Sequence, residues 1–521
     1  MSANMQPTAK SADIALLLEG TFPYVRGGVS AWVNQIIRAY PEFTFAIVFI
    51  GSQRSDYGQQ HYKLPDNVVH FEEHYLYDYV QPALLHGTRE EALDNAQLSR
   101  MHDAFRNNHN LAYIGKMVRQ IIPMLSESGA LSEQQFLRGR HSWEYISASY
   151  EKYCRDPSFT DYFWTVRIMH KPIWQLARIC ESLIPARMYH TVSTGYAGFL
   201  GALLHHRSHR PLLVSEHGIY TKERKIDLLQ SEWIRDNRGV FEKDISQVGY
   251  FQDLWIQFFH ALGRVCYDAA SEITALYEGN RLRQLADGAP EYKTRNIPNG
   301  ILVERFSPLR DLRPSSVPFV VALIGRVVPI KDIKTFIRAV FIASRQLPQL
   351  QGWIVGPESE DPEYAQECRD LVSSLGMEKN LEFMGFRNVD ELLPKIGLVA
   401  LSSISEALPL VILEAYAAGV PVISTDVGSC RQLIEGLSAE DRALGRAGRV
   451  VQIANPEQLA HAMLELLTQP QEWKSAQQAG IARTERYYTS ALMEESYRQL
   501  YNRLLALPDA ADESGDQAWP G

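Results

Sequence analysis

The amino-acid sequence predicts an α/β fold with two parallel-sheet domains, and three observations carry that prediction. Short apolar runs alternate with helical patterns over residues 13–50 and again over 188–297, the rhythm of strands joined by crossover helices. The same rhythm restarts at residue 318 and holds to 467, after an aperiodic, proline-bearing stretch at 306–317 that reads as a linker. Residues 397–425 form a complete strand–turn–helix–strand unit: an apolar run at 397–401, a polar turn at 402–408, a helix from Pro409 to Ala418, a stop at Gly419 and a second apolar run at 420–424.

In order along the chain, residues 13–19 (D-I-A-L-L-L-E) read as the first buried strand. The loop G-T-F-P-Y-V-R-G-G-V-S follows, then a helix at 30–40 and a strand at 43–50. Gly27 and Gly28 let the backbone approach whatever lies above the strand ends. The loop lacks the G-x-G-x-x-G spacing, so a nicotinamide or flavin fingerprint is absent. From about 52 to 184 the rhythm fails, and helical patterns such as 104–125 and 163–183 read as a helical insertion. Strand signals return at 188–192 and 211–215, with a helix at 195–206 between them. The second of these strands runs into S-E-H-G-I-Y-T-K-E-R-K, which puts His217 at the carboxyl edge of the sheet, where open α/β sheets bind ligands. Tyr220, Lys222, Glu223, Arg224 and Lys225 are expected on a charged loop beside it. A long helix at 247–270, a strand at 272–276, a helix at 277–286 and a short strand at 293–297 complete the first domain.

The second domain opens with a buried strand at 318–324 and then G-R-V-V-P-I-K-D. Arg326 lies just past the strand end and Lys331 at the start of the next helix. Strands at 351–356, 381–384 and 446–451, and helices at 364–376, 388–396 and 455–467, fill out the sheet. Helices at 471–488 and 491–507 follow, expected to cross back onto the first domain, and an acidic tail at 508–521 is expected to be disordered. The domains are therefore drawn at 1–305 and 318–480, with 481–507 as the returning helix.

The chemistry gathers at the turn before Pro409. Proline has no N–H, but the amides of Leu410, Val411 and Ile412 do, and the helix offers them no partner. With the positive end of the helix dipole they make a ready phosphate site. Arg326 and Lys331 are expected to converge on the same point, where two fixed cations stabilise a leaving diphosphate without a metal. Glu406 and Glu414 would repel an anion directly, so they make sense as acceptors for hydroxyls that flank the phosphates. A nucleotide sugar carries such hydroxyls at both ends.

Composition narrows the class. The chain has 521 residues, 45% hydrophobic and 22% charged, as in an ordinary soluble enzyme of two or more domains. A net charge of −9 without a Lys/Arg-dense block argues against a nucleic-acid groove. The five cysteines are far apart and odd in number, which points to buried thiols rather than disulfides or a metal site. The N-terminus is polar, and no run approaches a membrane span of about 20 apolar residues, so the protein is expected in the cytoplasm.

The E-x7-E pattern of Glu406 and Glu414, with Pro and Gly around it, resembles the retaining glycosyltransferases of family 4, which have the GT-B fold of two Rossmann-like domains facing across a cleft. The resemblance extends to G-R-x-x-x-x-K, to His-Gly at 217–218 and to I-P-N-G at 297–300. It departs where the family's Gly after the Lys is Asp332. The resemblance implies that Glu414 holds the ribose, that Glu406 holds the donor sugar, and that His217 lies beside the transferred sugar. It places Gly27 and Gly28 near the donor phosphates and the acceptor, and it has V-G-P-E at 355–358, M-G-F at 384–386 and Arg387 lining the nucleotide. The implied catalytic set is Glu406, His217, Arg326 and Lys331. The donor site adds Gly27, Gly28, Leu408, Pro409, Leu410, Val411 and Glu414.

E-G-T-F-P-Y-V-R-G-G-V-S-A-W with S-E-H-G-I-Y-T-K-E-R looks most like the cytoplasmic glycosyltransferases of bacterial Pel exopolysaccharide synthesis. That implies a UDP-sugar donor (UDP-glucose or UDP-N-acetylhexosamine), a glycan acceptor and docking to an inner-membrane complex. No Asp-x-Asp stands at a strand end, so no metal and no cofactor are expected. The rival readings are a nucleotide-sugar epimerase, a phosphorylase, and a non-catalytic subunit that binds nucleotide sugar on the same fold.

Overall fold

The structure, a computed structural model, describes residues 8–78, 120–121, 124–125, 132–133, 136, 139–154, 158–230 and 249–507. The tail expected at 508–521, and nearly all of the helix expected at 104–125, lie outside the described residues. The chain divides into two compact units. One runs to Ala275 and includes Arg281–Arg295 and the chain from Arg498; the other comprises Leu276–Asn280 and Asn296–Tyr497.

The first unit is built on a sheet of seven strands: β1 (Ala12–Glu19), β2 (Phe45–Gly51), β3 (Val68–Tyr75), β4 (Ala186–Thr191), β5 (Leu212–Glu216), β6 (Glu272–Ala275) and β7 (Thr294–Asn296). Their order is β3-β2-β1-β4-β5-β6-β7, and the pairings from β3 to β6 are parallel. β1 and β2 are buried along almost their whole length, as the apolar runs predict for central parallel strands. β3 was not expected, since it falls inside the stretch read as a helical insertion. Its sequence, V-V-H-F-E-E-H-Y, hides it: as the edge strand it carries two histidines and two glutamates, which mask the apolar signal.

The helices of this unit are α1 (Gly28–Ala39), α2 (Arg140–Tyr153), α3 (Phe159–Ser182), α4 (Tyr196–Ser208), α5 (Tyr220–Gln230), α6 (Tyr250–Ala269) and α7 (Glu278–Asp287), the last beginning in the second unit. α4 is buried from Tyr196 to Leu204, apolar on every side because α3, α6 and the sheet all press on it. Each fully buried Leu or Phe in such a core contributes about 1.5–3 kcal/mol relative to exposure.

The second unit has a parallel six-stranded sheet: β8 (Val320–Ile324), β9 (Gln351–Val355), β10 (Leu381–Gly385), β11 (Leu398–Leu401), β12 (Val422–Thr425) and β13 (Gly448–Val451), in the order β10-β9-β8-β11-β12-β13. The helices that bear on the argument are α8 (Ile333–Ser344), α9 (Pro362–Ser374), α10 (Leu410–Ala417), α11 (Pro456–Thr468), α12 (Pro470–Tyr487) and α13 (Ser490–Leu505). In both sheets the strand order reverses at the first strand, between β1 and β4 and between β8 and β11. A doubly wound sheet opens a crevice for ligands at such a switch point. The far half of α13 belongs with the first unit: Tyr501 is fully buried there, edge-on to Tyr40, and its hydroxyl lies 2.8 Å from His190 Nδ1. Among the described residues, no helix is long and apolar enough to cross a membrane.

Candidate active site

In the second unit, the side chains of Lys331 and Glu406 are in direct contact. Lys331 Nζ donates to Glu406 Oε1 at 2.6 Å, and both groups are largely shielded, with side-chain exposures of 21% and 12%. Ser403 Oγ donates to the same oxygen at 2.6 Å. One carboxylate oxygen is thus held by two donors. Backbone bonds fix the geometry: the amide of Ile404 donates to the carbonyl of Ile330, and Ser402 Oγ donates to the carbonyl of Lys331, both at 2.8 Å. The two loops that end β8 and β11 are therefore tied to one another at the switch point.

Asp332, where the resembled family has glycine, adopts φ 45° and ψ 55°. That left-handed conformation is the reason for glycine at such a position, and aspartate is among the few residues that visit it readily. Asp332 also caps α8, its side chain accepting from the amide of Thr335. The substitution therefore keeps the turn and adds a cap.

Two glycines let the loops close. Gly356 has φ +153°, and a Cβ there would lie 1.9 Å from the carbonyl oxygen of Gly325, the residue before Arg326. Gly428 has φ +53°, and a Cβ there would lie 2.3 Å from the carbonyl of Glu406 and 2.5 Å from that of Ala407. No side chain fits at either place.

Pro409 stands one position outside α10, as its N-cap, and not at the first helical position. The expectation of three free amides is also corrected, because the amide of Ile412 donates to the carbonyl of Pro409 at 3.1 Å. The first turn tightens and uses up that donor. Leu410 and Val411 keep their amides without a backbone partner among the described residues. Leu408 is buried beneath them. Glu414 lies on the second turn of α10, and its carboxylate makes no hydrogen bond among the described residues. Burial pushes its pKa above the ordinary value, while Arg305 nearby works the other way.

Arg326 is not joined to Lys331 and Glu406. It is ion-paired with Glu360, in the loop before α9, and both side chains are about half exposed, at 54% and 50%. Such a pair contributes little and is easily exchanged.

The remaining predicted residues belong to the first unit. Gly27 is the N-cap of α1 and Gly28 its first residue, and a Cβ at either would meet nothing within 4 Å. His217 follows β5 and is buried; its ring lies against Trp32 of α1 at 4.4 Å between centroids. Burial depresses its pKa to about 4, so the ring is neutral near pH 7. Its Nε2 has no hydrogen-bond partner among the described residues, leaving a neutral polar atom for a ligand. Tyr220 to Lys225 are not on a loop: they form the start of α5, whose first residue is half-buried. The charges at 222–225 masked the helix, and the bonds that hold its first residue are tertiary.

Residues 12–292 match the family model described as a domain of unknown function, DUF3492. The chain belongs to the DUF3492 family. Beyond the DUF3492 stretch, residues 318–469 match the model described as glycosyl transferases group 1, so the chain carries a domain of that type. Among curated proteins it is similar to the D-inositol 3-phosphate glycosyltransferase of Corynebacterium jeikeium, 28% identical over 46% of this chain and 64% of that protein. It is also similar to an exopolysaccharide phosphotransferase of Streptomyces coelicolor, 27% identical over 43% of this chain and 22% of that protein. The chain thus spans less than two thirds of the length of these relatives. Among solved structures, Anabaena HepE in complex with UDP and glucose covers 94% of this chain and 100% of its own at 16% identity and TM-score 0.53. The sucrose-phosphate synthase of Thermosynechococcus elongatus covers 95% and 99% at 16% identity and TM-score 0.54. The fold is that of the GT-B glycosyltransferases, with two parallel-sheet Rossmann-like domains, as the sequence predicted.

The sequence reading passed over Ser403 and Trp32. Ser403 stands in a run of serines where nothing singles out one hydroxyl. Trp32 follows the glycine loop on a helix face whose partner is set by the sheet.

Proposed function

We propose that this protein is a retaining glycosyltransferase that moves a sugar from a UDP-sugar to a growing polysaccharide. The observation that carries the reading is the coupled set of Lys331, Glu406 and Ser403 beside the bare amides of Leu410 and Val411. Cation and amides suit a diphosphate, and a carboxylate fixed through one of its two oxygens suits a sugar hydroxyl. The group 1 match and the UDP and glucose bound by HepE support the same reading.

In this mechanism Lys331, Arg326 and the helix amides stabilise the departing diphosphate as its charge grows. Arg326 reaches it by exchanging its weak surface partner Glu360. Glu406 accepts from a donor hydroxyl, and Glu414 accepts from the ribose. His217, neutral and unpaired on Nε2, contacts the transferred sugar. The glycine loop at Gly27 and Gly28 leaves open room for donor phosphates and acceptor. The acceptor hydroxyl attacks on the face the diphosphate leaves, and a phosphate oxygen takes its proton. In this reading the cations and helix amides carry the charge of the leaving group, and no metal or cofactor is invoked.

The polymer we propose is a Pel-type exopolysaccharide of the biofilm matrix, made in the cytoplasm beside an inner-membrane synthesis complex. The motifs around Gly27 and His217 and the similarity to an exopolysaccharide enzyme support this finer reading.

The test is UDP release from UDP-glucose and UDP-N-acetylhexosamines, with and without oligosaccharide acceptors. Acceptor-dependent release is expected, with Glu406→Ala lowering it at least about tenfold, or about 1.4 kcal/mol of barrier. Donor conversion without acceptor would point to an epimerase. Wild-type polymer formation by Glu406→Ala would leave a nucleotide-sugar-binding subunit.

A further inference from the structure

Glu216, the last residue of β5, is fully buried and is one of the most heavily bonded carboxylates in the first unit. Tyr267 of α6 donates its hydroxyl to Oε2 at 2.6 Å, and Gln284 of α7 donates to the same oxygen at 3.0 Å. Thr194, in the loop after β4, donates to Oε1 at 3.1 Å, and the backbone amide of Tyr220 reaches that oxygen at 3.4 Å. A buried carboxylate is costly unless donors surround it, and here they come from four separate parts of the fold.

These bonds enclose His217. The bond from Glu216 to the amide of Tyr220 closes a loop of which His217 is the second residue. The far end of that loop is pinned again, because Tyr220 Oη donates to Glu19 at the end of β1 at 2.8 Å. The other oxygen of Glu216 ties the same turn to α6 and α7. The imidazole rests on Trp32 with its Nε2 unpartnered, so no hydrogen bond from that nitrogen fixes the ring. Its position follows from that ring contact and from the backbone on either side.

We propose that Glu216 is a positioning residue for His217: its carboxylate clamps the turn that presents the imidazole to the reacting sugar. This rests on the glycosyl-transfer reading. Glu216 itself touches no substrate. It acts through the placement of its neighbour, and a displacement of about 1 Å in such a group is enough to lower a rate about a hundredfold. Burial raises the pKa of Glu216 to about 6 even against its donors.

The experiment is a double-mutant cycle in the full chain, reading kcat and KM for UDP release from the most active UDP-sugar. UDP affinity by calorimetry and the thermal midpoint are measured alongside. Glu216→Gln keeps the shape but offers only one acceptor oxygen, so one side of the clamp loses its bonds. The expected result is a kcat at least tenfold lower, with KM and UDP affinity within twofold of wild type. In the His217→Ala background the same substitution should change kcat less than twofold, because the group it positions is gone. Should Glu216→Gln fail to fold, Tyr267→Phe removes a single donor and should give a smaller kcat loss that likewise vanishes with His217→Ala. Losses that multiply in the double variants, or wild-type kcat in folded Glu216→Gln, overturn the proposal and leave the glycosyl-transfer reading intact. A wild-type protein that transfers no sugar from any UDP-sugar would sink that reading itself, and this proposal with it.

Discussion

The contact between Lys331 and Glu406 sets up a conflict that can be measured. If Lys331 is to meet a diphosphate, it must loosen its hold on Glu406 Oε1, which it meets at 2.6 Å. At an effective dielectric constant of about 20, opposite charges about 4 Å apart attract by roughly 4 kcal/mol. Most of that is offset by desolvating the two groups, whose side chains are only 21% and 12% exposed. A net of about 1 kcal/mol is reasonable, which is about fivefold in an equilibrium constant. Glu406→Gln removes the competing charge but keeps an oxygen for Ser403. UDP should therefore bind about fivefold more tightly to the variant at low salt, and the advantage should shrink at high ionic strength. Sugar transfer should move the other way and fall at least about tenfold, because the amide is a weaker acceptor for the donor hydroxyl. Calorimetry with UDP at two salt concentrations, together with a UDP-release assay, separates the two effects. A loss of UDP affinity in step with the loss of turnover would refute the reasoning, since the pair would then assist nucleotide binding rather than oppose it.

Other consequences are as direct. Gly428→Ala would place a Cβ 2.3 Å from the Glu406 carbonyl at φ +53°. Strain of about 1 kcal/mol plus the clash should lower the thermal midpoint and turnover together; full activity would mean that the Glu406 turn is free to shift. Arg326→Ala should weaken UDP binding about tenfold while altering stability by less than about 1 kcal/mol, because its partner Glu360 is half exposed; an unchanged UDP affinity would remove Arg326 from the donor site. Burial depresses the pKa of His170 to about 4, of His190 to about 3 and of His217 to about 4. The unfolded rings take up protons near pH 6.5, so stability present above that pH is lost as pH falls toward 4, by on the order of 2 kcal/mol per ring at pH 5. Glu216, raised to about 6 by burial, works in the opposite direction, because the native group binds its proton first between about pH 6 and 4.5. The three rings outweigh it, so the urea midpoint should be clearly lower at pH 5 than at pH 7, and His170→Phe should flatten that difference. Equal midpoints would show that the rings are not buried and neutral.

Amino-acid order alone determined the alternation of strands and helices, because burial of a parallel sheet on both faces forces continuous apolar runs that no solvent-facing element needs. It also determined the punctuation of the turn at 402–409 and the identity of Glu406, Lys331 and His217 as candidates, since each stands in the segment that follows a strand. The third strand escaped notice because an edge position tolerates His70, Glu72, Glu73 and His74. The first turn of α5 escaped because its first residue is held by tertiary bonds, its amide by Glu216 of β5 and its hydroxyl by Glu19 of β1. What tertiary structure alone decided is pairing at a distance. Lys331 reaches Glu406 from 75 positions away, Glu360 rather than the helix tip holds Arg326, and the amide of Ile404 donates to the carbonyl of Ile330. Hydrogen bonds of this kind depend on separations of a few tenths of an ångström between segments far apart in the chain. Periodicity and composition carry no information at that scale.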